Sequence, residues 1–178
     1  DEQQVFARLS VFQGGCDLAA AEQVATATPA ILAGLTDKSW LRRDDDGRYR
    51  CHELLRRYGA EQLKVRLEEA KTTYQKHSLY YITFMTVRRS ELDDRTHSAA
   101  LTEIDPEVDN LRVAWEWVRQ QADTEAIATY LEGLWRYFER KGWFAEATFV
   151  LEQAVQLGGV PERQRGRWQK WWGEACYQ

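Results

Sequence analysis

The stretch WLRRDDDGRYRCHELLRRYG, residues 40–59, changes period once. Trp40-Leu41-Arg42-Arg43 and Arg48-Tyr49-Arg50-Cys51 are two short alternating runs around Asp44-Asp45-Asp46-Gly47. An Asp-Gly step between such runs reads as a β-hairpin, because glycine supplies the positive φ the turn needs. After Cys51 the alternation stops and a helical pattern opens with Glu53-Leu54-Leu55. His52 stands at the junction. A histidine there can be a helix cap, a metal ligand, a catalytic base or a sensor of a bound group.

Upstream, Val5, Phe6, Leu9 and Phe12 mark the apolar face of a first helix, broken by Gly14-Gly15. Asp17 suits the N-cap of a second helix over Leu18 to Ala25, since its carboxylate can accept from first-turn amides. Thr28-Pro29 starts a third, with proline at N1 where no donor is lost. Its buried side is expected to be Ile31, Leu32, Leu35 and Trp40. Downstream, Leu55, Tyr58, Leu63 and Leu67 are expected to share the inner face of a fourth helix. Three helices, a hairpin and a further helix make a winged helix, expected over residues 1–68, with the hairpin as wing.

From residue 69 the pattern is helical throughout. Tyr74, Tyr81, Ile82, Met85 and Leu92 support a long helix. Asp105-Pro106 is expected to be another N-cap and N1 pair, followed by Val108, Leu111, Trp115 and Val118 at helical spacing. Ile127, Tyr130, Leu131, Leu134, Trp135 and Phe138 form an amphipathic face. In LWRYFERKGWFAEATFVLEQAVQL, residues 134–157, Gly142 sits between two helices, with Phe144, Ala147, Leu151 and Ala154 beyond it. This resembles the tetratricopeptide (TPR) repeat, whose small residues let paired helices approach closely. Trp135 departs from that pattern, where a small glycine is usual. The expected repeat covers residues 126–158. Trp172-Gly173-Glu174-Ala175 resembles part of a second, cut short, that starts from about residue 161. The fold class expected is therefore mainly α: a winged helix, then TPR-like antiparallel hairpins over residues 69–178.

The bulk numbers allow this. A chain of 178 residues, 44% hydrophobic and 29% charged, can bury a core without metal or disulfide staples. A net charge of −4 argues against a mainly electrostatic grip on nucleic acid or acidic membranes. Cys16, Cys51 and Cys176 are an odd number without CxxC spacing, which suits reduced thiols and a cytoplasmic location. No apolar run reaches the roughly 18 residues of a membrane span, and DEQQVFARLS has no signal-peptide pattern. A start at Asp1 points to a piece of a longer protein.

Two stretches, RLSVFQGGCDLAAAEQVA (8–25) and ILAGLTDKSWLRRDDDGRYRCHELLRRYGAEQL (31–63), resemble the winged-helix segment of STAND (NB-ARC-like) signalling ATPases. DPEVDNLRVAWEWV (105–118) resembles the segment preceding TPR arrays in bacterial transcriptional regulators of that class. The resemblance implies that His52 contacts the β-phosphate of ADP and holds an inactive state. Cys51-His52-Glu53 stands where the family has Met-His-Asp. The implied partners are an upstream nucleotide-binding domain, a protein or small-molecule inducer on the helical repeats, and further copies on activation. ADP or ATP is expected to bind the intact protein, which would be an ATPase. No cofactor and no catalysis are expected of this segment, because it contains no GxxxxGK[ST] phosphate loop.

Other signals weigh less. The third helix, PAILAGLTDKS, lacks the Arg, Asn and Gln side chains that read base edges. Arg42, Arg43, Arg48 and Arg50 flank three aspartates and suggest a solvated, self-neutralised face, so DNA is not expected as a partner of this segment. The three contiguous aspartates do not alternate as calcium ligands do. His77 and His97 have no Cys or His at ligand spacing. Glu103, Asp105, Glu107 and Asp109 suit the start of a helix. Trp115, Trp135, Phe138 and Phe144 are expected in the repeat core. Two other readings stay open: a DNA-binding winged helix with a helical dimerisation domain, and a TPR scaffold that binds peptides.

Overall fold

A computed structural model describes residues 2–93 and 97–178. It is mainly helical with one small two-stranded antiparallel sheet. The chain divides into two compact units, residues 1–81 with 106–114, and residues 82–105 with 115–178.

The first unit holds α1 (Glu2–Leu9), α2 (Leu18–Ala25), α3 (Pro29–Asp37), β1 (Leu41–Arg43), β2 (Tyr49–Cys51), α4 (Glu53–Lys64) and the first half of α5 (Leu67–Asp93). Local chemistry sets most of these boundaries. The Asp17 carboxylate accepts from the Ala20 amide at 2.7 Å and opens α2. Thr28 does the same for Ile31 at 3.3 Å, with Pro29 at the first turn of α3. The strands pair Leu41 with Cys51 and Arg43 with Tyr49, around Gly47 at φ 78°. Cys16 bridges to Tyr49 by two backbone hydrogen bonds, Cys16 N to Tyr49 O at 3.0 Å and Tyr49 N to Cys16 O at 2.8 Å. Gly15 precedes it at φ 91°, and a Cβ there would lie 2.5 Å from the Tyr49 carbonyl oxygen. Only glycine suits that position.

Val5, Phe6, Leu9, Phe12, Leu32, Leu35 and Leu63 are buried in this unit, and Phe6 meets Trp40 edge-on at 4.7 Å. Ile31, Trp40 and Leu55 are only partly covered. Gly59 lets α4 close on α1, where an added Cβ would lie 3.1 Å from Ser10 and 3.2 Å from Phe6. Tyr58 and Leu67 correct the expected inner face of α4, since both are exposed. The helix closes on α1 through Gly59 and Leu63, and the helical phase of that pair leaves Tyr58 outside.

The second unit contains the rest of α5, α6 (Ser98–Ile104), the second half of α7 (Val108–Gln121), α8 (Thr124–Lys141), α9 (Phe144–Val155) and α10 (Glu162–Cys176). Asp123 caps α8 by accepting from Glu125 and Ala126 amides at 3.2 and 3.1 Å. Gly142, at φ 67°, ends it and turns the chain into α9. Ile127, Tyr130, Leu131, Leu134, Trp135 and Phe138 are all buried, as their spacing requires. Trp135 stacks on Trp171 at 6.0 Å, and the close approach of α8 to α5 occurs at Gly133, against Met85.

Asp105 corrects another expectation. Its backbone is helical, at φ −50° and ψ −46°, in a 3₁₀ turn over Asp105–Glu107. Its carboxylate accepts from Tyr137 at 2.8 Å and Lys141 at 3.0 Å rather than capping α7. Among the described residues no single helix is long and apolar enough to cross a membrane.

Candidate functional site

His52 lies where β2 ends and α4 begins, with extended backbone at φ −61° and ψ 139°. Its carbonyl accepts the Arg56 amide at 2.9 Å. Its Nδ1 accepts the Leu54 amide at 3.3 Å. An acceptor at Nδ1 assigns the proton of the neutral ring to Nε2. The residue is exposed. It stands at the positive dipole end of a twelve-residue helix.

Its neighbours have other engagements. Glu53 accepts from Arg56 at 2.8 and 2.9 Å and from Arg57 at 2.8 Å. Hydrogen bonds from Arg56, then Arg57, bring the Glu53 carboxyl down to about 2. Glu53 therefore braces the first turn of α4 through these arginines. Cys51 points back toward the hairpin, 3.5 Å from the Trp40 carbonyl, and burial pushes its thiol up to about 11. A cavity of about 110 Å³ lies behind the junction, lined by Gly15, Cys16, Tyr49, Arg50, Cys51 and Arg56 among others. His52 is not part of its wall. On the outer side, Leu54, Tyr58 and Val65 are 69%, 54% and 82% exposed. Their spacing of four and seven puts them in one stripe that starts beside His52.

Arg42 and Arg50 pair with Asp44 on the hairpin, the mutual neutralisation expected of this face. Arg48 is a correction, for it is buried and ion-paired with Glu107. Glu107 is likewise buried and accepts from the Tyr81 hydroxyl at 2.8 Å and from the Asn110 amide at 2.9 Å. Asn110 also donates to the Gly15 carbonyl at 2.9 Å and accepts the Gln13 amide at 2.8 Å. Arg48 reaches the Gly15 and Pro106 carbonyls at 3.2 and 3.4 Å. Burial, then the Glu107 charge, raises the Tyr81 phenol, which keeps it a donor.

Beside this network His77 is 0% exposed, between Phe12 at 5.3 Å and Tyr81 at 4.7 Å. Neither ring nitrogen has a hydrogen bond of good geometry. Burial brings its pKa down to about 4, with Asn110 opposing that fall. Sequence reading placed Glu107 at a helix start and missed the network. The available signal was Glu107 and Asn110, three residues apart beside buried Val108 and Leu111: two polar groups on an apolar side of a helix need partners.

Comparison with known proteins matches this chain to a part of longer ones. The chain is 36% identical over 160 residues to provisionally named HTH-type transcriptional regulators of Mycobacterium bovis and two strains of Mycobacterium tuberculosis. The match covers 80% of this chain and 18% of each relative, so the chain spans less than a fifth of their length. No family model and no solved structure matches it.

Proposed function

We propose that this chain is the regulatory segment of a STAND-type signalling ATPase that controls transcription. In this reading residues 1–68 are a winged helix and residues 69–178 the beginning of a TPR-like sensor. The segment has no catalysis or cofactor of its own. It links the ADP or ATP state of a nucleotide-binding domain to an inducer on the helical part, and release of the ADP state permits self-association. The relatives' names support a role in transcription.

The observation that carries the reading is the hydrogen bond from the Leu54 amide to His52 Nδ1 at a helix N-terminus. It leaves Nε2–H as the donor of the neutral ring. Such a donor suits a phosphate oxygen. The stripe of Leu54, Tyr58 and Val65 beside it would meet the surface of the domain that presents the nucleotide.

The test uses the longer protein that carries the nucleotide domain. His52→Ala should release bound ADP faster and self-associate more readily than wild type. Equal ADP retention in a folded variant would leave His52 as a cap alone.

The relatives' names also invite a DNA-binding reading of the helices and hairpin. The exposed side of α3 carries Pro29, Ala30, Ala33 and Asp37, without the Arg, Asn or Gln that pair bidentately with guanine or adenine. Salt-sensitive binding of duplex DNA by this chain would favour that alternative.

A further inference from the structure

Residues 106–114 belong to the first compact unit, yet the residues on either side of them belong to the second. Their fastening is strongly polar. Glu107 meets Arg48 from the hairpin and Tyr81 from α5, while Asn110 holds the backbone at Gln13 and Gly15. Val108, Leu111 and Ala114 add the apolar contribution. By contrast the α1–α4 part of the unit buries Phe6, Leu9, Phe12, Leu32, Leu35 and Leu63.

The two kinds of fastening respond differently to separation. Parted apolar groups meet water that disfavours them. A parted Arg48, Glu107 and Asn110 recover the hydration that burial withheld, so much of their mutual attraction is offset. The Arg48 Nε has no hydrogen-bond partner even in the closed arrangement. Withdrawal of the segment would let it reach water as well. The segment joins that unit from a distant part of the chain.

We infer that residues 106–114 form a releasable strap, clasped to the hairpin and α5 through Arg48, Glu107 and Asn110, which detaches and unwinds while the α1–α4 core stays folded. The strap is a conformational device independent of the nucleotide reading of His52. It couples the hairpin to the start of α7, so a ligand that favours either arrangement shifts the population of the other.

Native-state hydrogen exchange of the whole chain tests this. In wild type, the amides of residues 112–114 should exchange through an opening with a smaller denaturant dependence than those of residues 56–63 in α4. Glu107→Gln leaves the Arg48 charge buried without its carboxylate. It should speed exchange at 112–114 by on the order of 100-fold and leave 56–63 within a few-fold of wild type. A single common opening in wild type, with equal denaturant slopes at both sets of amides, overturns the strap even if the variant fails to fold. Unchanged exchange at 112–114 in a folded Glu107→Gln chain overturns the clasp.

Discussion

Between pH 7.5 and 4.5 acid should destabilise the first unit chiefly through His77. Folding holds this imidazole in a fully buried position, with Phe12 and Tyr81 against its ring. Burial lowers its pKa from 6.5 to about 4, with partial opposition from Asn110. The folded state therefore resists protonation and the unfolded state does not. Above pH 6.5 both states are neutral and stability is at its full value. As pH falls from 6.5 toward 4 the unfolded chain takes up the proton first, and stability declines; below about 4 the folded state titrates too and the decline ends. At about 1.4 kcal/mol per pH unit the full loss is about 3 kcal/mol, a large share of an ordinary domain's stability. The perturbation is His77→Leu, which removes the titrating group and keeps an apolar side chain. Repacking changes stability by an amount that is the same at every pH, so the diagnostic is the slope. Urea titrations from pH 7.5 to 4.5, read by hydrogen exchange at α4 amides, report on the unit that holds His77. Wild type should lose about 2–3 kcal/mol more than the variant over that range. Parallel profiles for the two chains would refute the argument and mean that His77 finds a proton-accepting partner in the folded state.

Two further outcomes follow from local geometry. Gly15→Ala places a Cβ against the Tyr49 carbonyl in a left-handed backbone region, so it should cost about 2–4 kcal/mol and disrupt the Cys16–Tyr49 bridge, as measured by urea denaturation and by exchange at those two amides. Asp123→Ala removes both first-turn bonds of α8 and should cost about 1 kcal/mol, seen as a lower midpoint in thermal denaturation with the fold unchanged.

The caps at Asp17 and Thr28, the glycine turns at 47 and 142, and the buried face of α8 were legible from the sequence. Each is a local signal, in which residues within a turn or two of one another satisfy a backbone group or share a helical face. The position of His52 at a helix start was legible for the same reason. Its tautomer was not, because it depends on a hydrogen bond whose geometry only the folded junction supplies.

Tertiary structure alone decided the partners of Glu107, Arg48 and Asp105. Arg48 looked like one more exposed arginine of a charged hairpin, and Asp105 like a cap. Their partners lie 59 and 32 residues away, and no period in a sequence encodes a pairing at that range. Periodicity likewise put Tyr58 and Leu67 on an apolar face without saying whether anything in this chain would cover it, and both are exposed. Local chemistry in the sequence determines where helices and turns begin and end. Which polar groups become buried, and therefore must find one another, is settled only when distant segments exclude water between them.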